Sequence, residues 1–188
     1  MKKTITTKNY LHILCVLMFL PLISTGQCDV FKSEINGVKQ HSEDVSKTAD
    51  QVQTYSENAA FAATYKEART HAHKAEIYAG EILGAAYEAV DLAAEAQHYS
   101  VSCTKEEVES YAIDAERFAI DARDYADVAY TNAKKANSAR NLGDVRYFMR
   151  KSLDAAKEAK RSADAAVYAA SDALYSCDHE TVSAGGNE

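Results

Sequence analysis

The sequence predicts an all-α fold, an alanine-rich antiparallel helical bundle with heptad, coiled-coil-like seams, in which four helices running up and down are favoured over three long ones. Three observations carry this expectation. Of the 188 residues 34 are Ala, one is Pro and none is Trp, a composition with high intrinsic helix propensity. Small residues recur in alternating steps of four and three along three successive stretches, the spacing of a helix that buries one stripe. Clusters of cap and turn residues separate those stretches. Disorder is the competing reading, because only 25 residues from Gln27 onward are Leu, Ile, Val or Phe. Regular spacing argues against it, since a disordered tail has no reason to fill successive seam positions.

Residues 1–26 read as a secretory signal peptide. Lys2, Lys3 and Lys8 give a basic start, the run from Leu11 to Ile23 is apolar apart from His12 and Pro21, and Ser24-Thr25-Gly26 is a small-residue exit. As a helix the apolar run spans about 20 Å, short of the roughly 30 Å of a bilayer core. No other stretch approaches eighteen apolar residues, so no transmembrane segment is expected after cleavage. The expected location is outside the cytoplasm, periplasmic or secreted. Cleavage after Gly26 leaves Gln27-Cys28 at the new terminus. A lipid anchor on Cys28 needs a small residue before it, and Gln27 argues against one.

Residues 27–180 are expected to form one helical-bundle domain and residues 181–188 a disordered tail. Val38, Ser42, Val45, Ala49 and Val52 keep heptad spacing, and Asn36-Gly37 places the helix start near Val38. Their phase does not match a run counted from Phe61. A turn at Ser56-Glu57-Asn58 accounts for the slip; one long helix with a stutter is the alternative. The second seam is Ala68, Ala72, Ala75, Ala79, Ile82, Ala86, Ala89, Ala93 and Ala96, with the helix ending near Tyr99. Thr104-Lys105-Glu106-Glu107 matches a capping box and opens a third helix. Its seam runs Val108, Ala112, Ala115, Ala119, Ala122, Ala126, Ala129, Ala133 and Ala136, and it ends near Arg140. Asn141-Leu142-Gly143 suggests a left-handed terminator, with Asp144 as the next cap. The last seam is Met149, Ser152, Ala156, Ala159, Ala163, Ala166, Ala170, Ala173 and Cys177. Connectors this short make consecutive helices antiparallel.

An Ala seam gives little transfer energy, about 0.8 kcal/mol per buried methyl, but lets helix axes approach toward the short end of the roughly 8–10 Å range. Tyr111, Phe118 and Tyr125, and likewise Tyr168 and Tyr175, recur at sevens and are expected to cover seam edges. Asp114 with Arg117, Arg117 with Asp121, Arg123 with Asp127 and Glu158 with Arg161 have the spacing of surface ion pairs. Gly80 and Gly84 each cost about 1 kcal/mol within a helix, which marks a close-packing or self-association face.

Chemistry is sparse. Cys28, Cys103 and Cys177 are an odd count in a compartment that favours disulfides. In an up-down bundle Cys103 and Cys177 fall at one end, and Cys28 joins them if the first helix is separate; a Cys103–Cys177 disulfide is expected, with Cys28 free or intermolecular, and three reduced thiols are the alternative. Only Glu95-Ala96-Gln97-His98 resembles a helical di-iron ligand pair, and His71 and His73 diverge around their helix, so no metal and no cofactor are expected. His-Glu-x-x-His, Gly-x-Ser-x-Gly, phosphate-loop and Cys-x-x-Cys motifs are absent from the sequence. Formal charge is −7, and −10 without the three leader lysines, which opposes nucleic-acid binding. The expectation is a non-enzymatic exported bundle with a structural or protein-interaction role in the cell envelope or extracellular space, its partner a second protein or a second copy of itself. A ligand- or partner-binding, inhibitor-like module using Tyr-lined faces is the alternative, and a helical metal-binding enzyme the third reading.

Overall fold

In the computed structural model the described backbone covers residues 8–103 and 106–179, and the described side chains begin at residue 26. The apolar leader run, Thr104 of the expected capping box and the tail 181–188 therefore lie outside the described side chains. Four helices follow one another: α1 (Lys8–Phe61), α2 (Tyr65–Ser100), α3 (Glu106–Ser138) and α4 (Leu142–Asp178). Each packs against its neighbours in chain order, α4 closes onto α1, and the diagonal pairs scarcely meet. This is the four-helix up-down bundle. No described helix is long and apolar enough to cross a membrane.

The seams of α2, α3 and α4 are buried where the spacing places them. Every expected seam residue from Ala68 to Ala96, from Val108 to Ala136 and from Met149 to Cys177 is in the core. Bulk comes mainly from α1, which contributes Phe31, Ile35, Val38, Val45 and Val52, all fully buried. One helix with large side chains thus fills the space that three alanine-lined helices leave. That division lets a chain poor in large aliphatics bury a continuous set of core side chains.

The first helix departs from expectation in two ways. It passes straight through Asn36-Gly37 and through Ser56-Glu57-Asn58, and the turn falls at residues 62–64. The apparent phase slip came from counting Phe61 as a seam residue. Phe61 is 76% exposed, whereas Ser56 and Ala59 are fully buried and continue the four-three alternation that begins at Cys28 and Phe31. The missed signal for the turn is Thr64-Tyr65-Lys66-Glu67, a complete capping box: Thr64 Oγ1 accepts from the Glu67 amide and Glu67 Oε2 accepts from the Thr64 amide, both at 3.3 Å.

At the last connector the cap is Asn141, not Asp144. Its side-chain oxygen accepts from the Asp144 amide at 2.9 Å, and Gly143 lies inside the first turn with no left-handed residue there. The two connectors at this end are tied together: Tyr65 Oη donates to the Ala139 carbonyl at 2.7 Å, and Arg146 donates to the Ala62 carbonyl. Of the expected ion pairs, Asp114–Arg117 and Glu158–Arg161 form at 3.0 and 2.6 Å. Arg123 turns to its neighbour Asp124 at 2.6 Å instead of to Asp127.

Gly80 and Gly84 are not where helix backbones meet within the bundle. A Cβ on Gly84 would touch nothing within 4 Å, and one on Gly80 would meet only the Tyr130 ring at 3.6 Å. The glycine that packing uses is Gly37, where a Cβ would come 2.8 Å from Leu92 Cδ1. The Leu92 side chain of α2 rests in that notch on α1.

Two substitutions test this packing. Phe31→Ala removes the largest fully buried side chain and is expected to lower the unfolding free energy by about 3–5 kcal/mol, measurable by urea denaturation. Ser56 is fully buried and its hydroxyl has no hydrogen-bond partner, so Ser56→Ala is expected to raise stability by about 1 kcal/mol. A fall in the melting temperature of that variant would contradict the assignment.

Candidate functional site: a three-cysteine cluster

The end of the bundle opposite Tyr65 and Arg146 gathers the only sulfur-bearing cluster among the described residues. Cys28 occupies a seam position of α1, one step before Phe31, and Cys177 closes the seam of α4. Cys103 comes from the connector after α2. Two tight turns, Ser102 N–H to the Tyr99 carbonyl at 3.0 Å and Cys103 N–H to the Ser100 carbonyl at 2.9 Å, fold that connector over the bundle end and aim the thiol inward.

The Sγ atoms stand 2.9 Å apart for Cys28 and Cys103, 3.1 Å for Cys28 and Cys177, and 3.7 Å for Cys103 and Cys177. All three are thiols. Cys103 and Cys177 are buried and Cys28 is half-buried. Phe31, Val108, Ala173 and their neighbours form the apolar floor. Two polar contacts clasp the rim: Ser102 Oγ donates to Gln27 Oε1 at 2.8 Å, and Lys32 Nζ pairs with Asp178 at 2.7 Å. The first holds the connector to α1 and the second holds α1 to α4.

Topology brings together the three thiols that an up-down bundle should bring together. It does not single out the Cys103–Cys177 pair, because Cys28 is nearer to each of them than they are to one another. Weighing these residues as one pair with a remainder obscured the triad. Among the described residues this triad is the one group of His, Cys, Asp and Glu whose ligand atoms all lie close together, within 4.8 Å. Glu95 and His98 are not part of it. His71 faces the Tyr55 ring of α1 while His73 Nδ1 lies 3.4 Å from Asn137 of α3, so the two histidines do diverge.

The aromatic series divides. Tyr111 and Phe118 pack against the core, whereas Tyr125, Tyr168 and Tyr175 are exposed. Tyr147 joins the outer series, since it lies three heptads before Tyr168 on the same stripe of α4.

Burial pushes the Cys177 thiol up to about 11 and the Cys103 thiol higher still; Cys28 adds to both shifts, while Cys103 and Lys32 partly offset the rise at Cys177. Lys32 is raised by its hydrogen bond to Asp178. Cys103 and Cys177 consequently stay neutral through the physiological range and are poor nucleophiles. Between the ordinary value of 9.0 and about 11, the native state keeps protons that the unfolded chain releases, so stability falls as pH rises. Below about pH 9 the cluster's contribution is complete. In reduced protein, the urea midpoint is expected to drop from about pH 8 to about pH 10.5 by more than it drops in Cys103→Ala/Cys177→Ala. Equal drops in the two proteins would contradict the assigned shifts.

Comparison with protein families and with characterised proteins finds no match for this chain, so the chemistry of this cluster rests on its geometry.

Proposed function

We infer that the chain is an exported, non-catalytic helical bundle that serves as a structural or protein-interaction element in the cell envelope or outside the cell. The observation that carries this reading is the outer face of α4. Tyr147, Tyr168 and Tyr175 share one heptad stripe and are 54%, 73% and 64% exposed, while the opposite face of the same helix is a seam of small residues. Tyrosine presents a rigid apolar ring with few rotamers to lose and a hydroxyl that tolerates water, which suits it to protein interfaces. Asp154 and Arg161 occupy the two intervening heptad positions, so the stripe is mixed in character, and such a surface fits a reversible contact better than an obligate one.

Export rests on the leader: a basic start, an apolar run too short to span a bilayer and a small-residue exit. Interior chemistry is scarce because the seams are methyl groups packed against α1. A shallow groove between α3 and α4, lined by Tyr125, Val128, Asn132, Lys151 and Glu158, is the second surface to consider. It adds two exposed apolar side chains beside charged ones, and supports the alternative of a partner-binding, inhibitor-like module.

The test is in-cell photocrosslinking with p-benzoylphenylalanine in place of Tyr168, compared with the same replacement at exposed Asp91 of α2. Discrete adducts from position 168 alone are expected; adducts at twice the chain mass identify self-association, and other masses a second protein. The absence of any adduct at 168, or equal adducts at 91, would refute the α4 surface. Mass spectrometry of the exported protein should show a chain beginning at Gln27, and a retained leader would refute export by this route.

A further inference from the structure

We propose that Cys28, Cys103 and Cys177 form a three-coordinate thiolate site for a soft cation, copper(I), at the open end of the bundle.

The donor set is the first argument. Among the described residues three sulfurs converge with no His, Asp or Glu donor, and sulfur-only donors select soft ions over hard ones. Their geometry is the second. An ion about 2.3 Å from each of three sulfurs in a plane holds the sulfurs about 4.0 Å apart. The observed separations are 2.9, 3.1 and 3.7 Å, so each pair has to open by only about 1 Å or less to admit the ion. Small side-chain rotations provide that movement, because Cys28 is half-buried and Cys103 sits on a connector and not within a helix.

Coordination number separates copper(I) from zinc. Closed zinc sites take four protein ligands, and among the described residues no fourth His, Cys, Asp or Glu joins the triad. Asp178, next to Cys177 in sequence, is engaged by Lys32 at 2.7 Å. Copper(I) is satisfied by three thiolates in one plane, and an apolar floor of Phe31, Val108 and Ala173 suits a site that keeps water from a fourth position. Stoichiometry adds a further argument. Any disulfide within the triad uses two sulfurs and leaves the third thiol packed against the bond, whereas one ion uses all three.

Binding involves no redox step: a copper(I) ion forms three Cu–S bonds while three thiols release three protons to solvent. The complex has a net charge of −2, and the Lys32–Asp178 pair at its rim places an ammonium one turn along α1 from Cys28. Because the ligands come from α1, from the connector after α2 and from α4, the ion would also pin the end of the bundle where no backbone connection joins α1 to α4.

The test uses the full chain with Cys15, the fourth cysteine, replaced by serine. The protein is reduced, kept without oxygen and titrated with copper(I) delivered as its acetonitrile complex against a chromophoric copper(I) chelator. One equivalent per chain is expected, with ultraviolet thiolate-to-copper absorption. Each of Cys28→Ser, Cys103→Ser and Cys177→Ser is expected to weaken binding by about 100-fold or more. Circular dichroism checks that these variants fold. X-ray absorption on the otherwise unaltered triad gives an independent count, expected to be three sulfurs around copper. Full affinity in any single serine variant, a two-sulfur copper, or zinc(II) retained against one equivalent of copper(I) would overturn the proposal. So would a stoichiometric disulfide between any two of the three cysteines in protein taken unreduced from the cells that make it.

Discussion

The structure depends on how closely three methyl-lined helix faces can approach a fourth face that carries the bulk. Alanine contributes little transfer free energy per residue, and a bundle lined with alanine on all four sides would have little to hold it together. Here α1 supplies Phe31, Ile35, Val38, Val45 and Val52 to the centre, and the seams of α2, α3 and α4 close around them. Small side chains bring the backbones near enough for dispersion contacts to accumulate. Alanine adds high helix propensity with no side-chain entropy to lose on burial. The helices are therefore long, about 50 Å for 33 to 37 residues, because each turn contributes only a little and many turns are needed.

Long rods joined by short connectors have vulnerable ends, and the two ends are closed differently. At one end the 62–64 and 139–141 connectors are cross-tied by Tyr65 and Arg146 reaching to backbone carbonyls, and both following helices start with well-formed caps. At the other end only the connector between α2 and α3 crosses, while α1 passes through and α4 finishes. The thiol cluster lies at this second end, together with the Gln27–Ser102 and Lys32–Asp178 contacts. Its placement matches a mechanical need, since α1 and α4 have no connector there.

Periodicity made most of the fold legible. A residue buried on one side of a helix recurs every three or four positions whatever it packs against, so the three alanine seams could be read without knowing their partners. Phe61 shows the limit. It begins a run at seam spacing, yet it ends α1 exposed, and counting from it displaced the first turn by half a dozen residues. Asn36-Gly37 misled similarly, because those residues favour a break only when no neighbour uses the missing side chain, and Leu92 does use it. The Gly80 and Gly84 pair looked like a backbone crossing from spacing alone, but a Cβ on Gly84 would meet nothing within 4 Å and one on Gly80 only the Tyr130 ring.

Local chemistry was enough to establish helix, seam phase, antiparallel order and the gathering of three cysteines at one end, because each follows from the pitch of a helix and the length of a connector. Which helix supplies the core volume, which cysteine lies nearest which, and that the three sulfurs converge on a single point were decided by packing in three dimensions. Those properties depend on distances between residues 74 to 149 positions apart, set by how four rods rotate and slide against one another, and no short-range pattern in the chain records that adjustment.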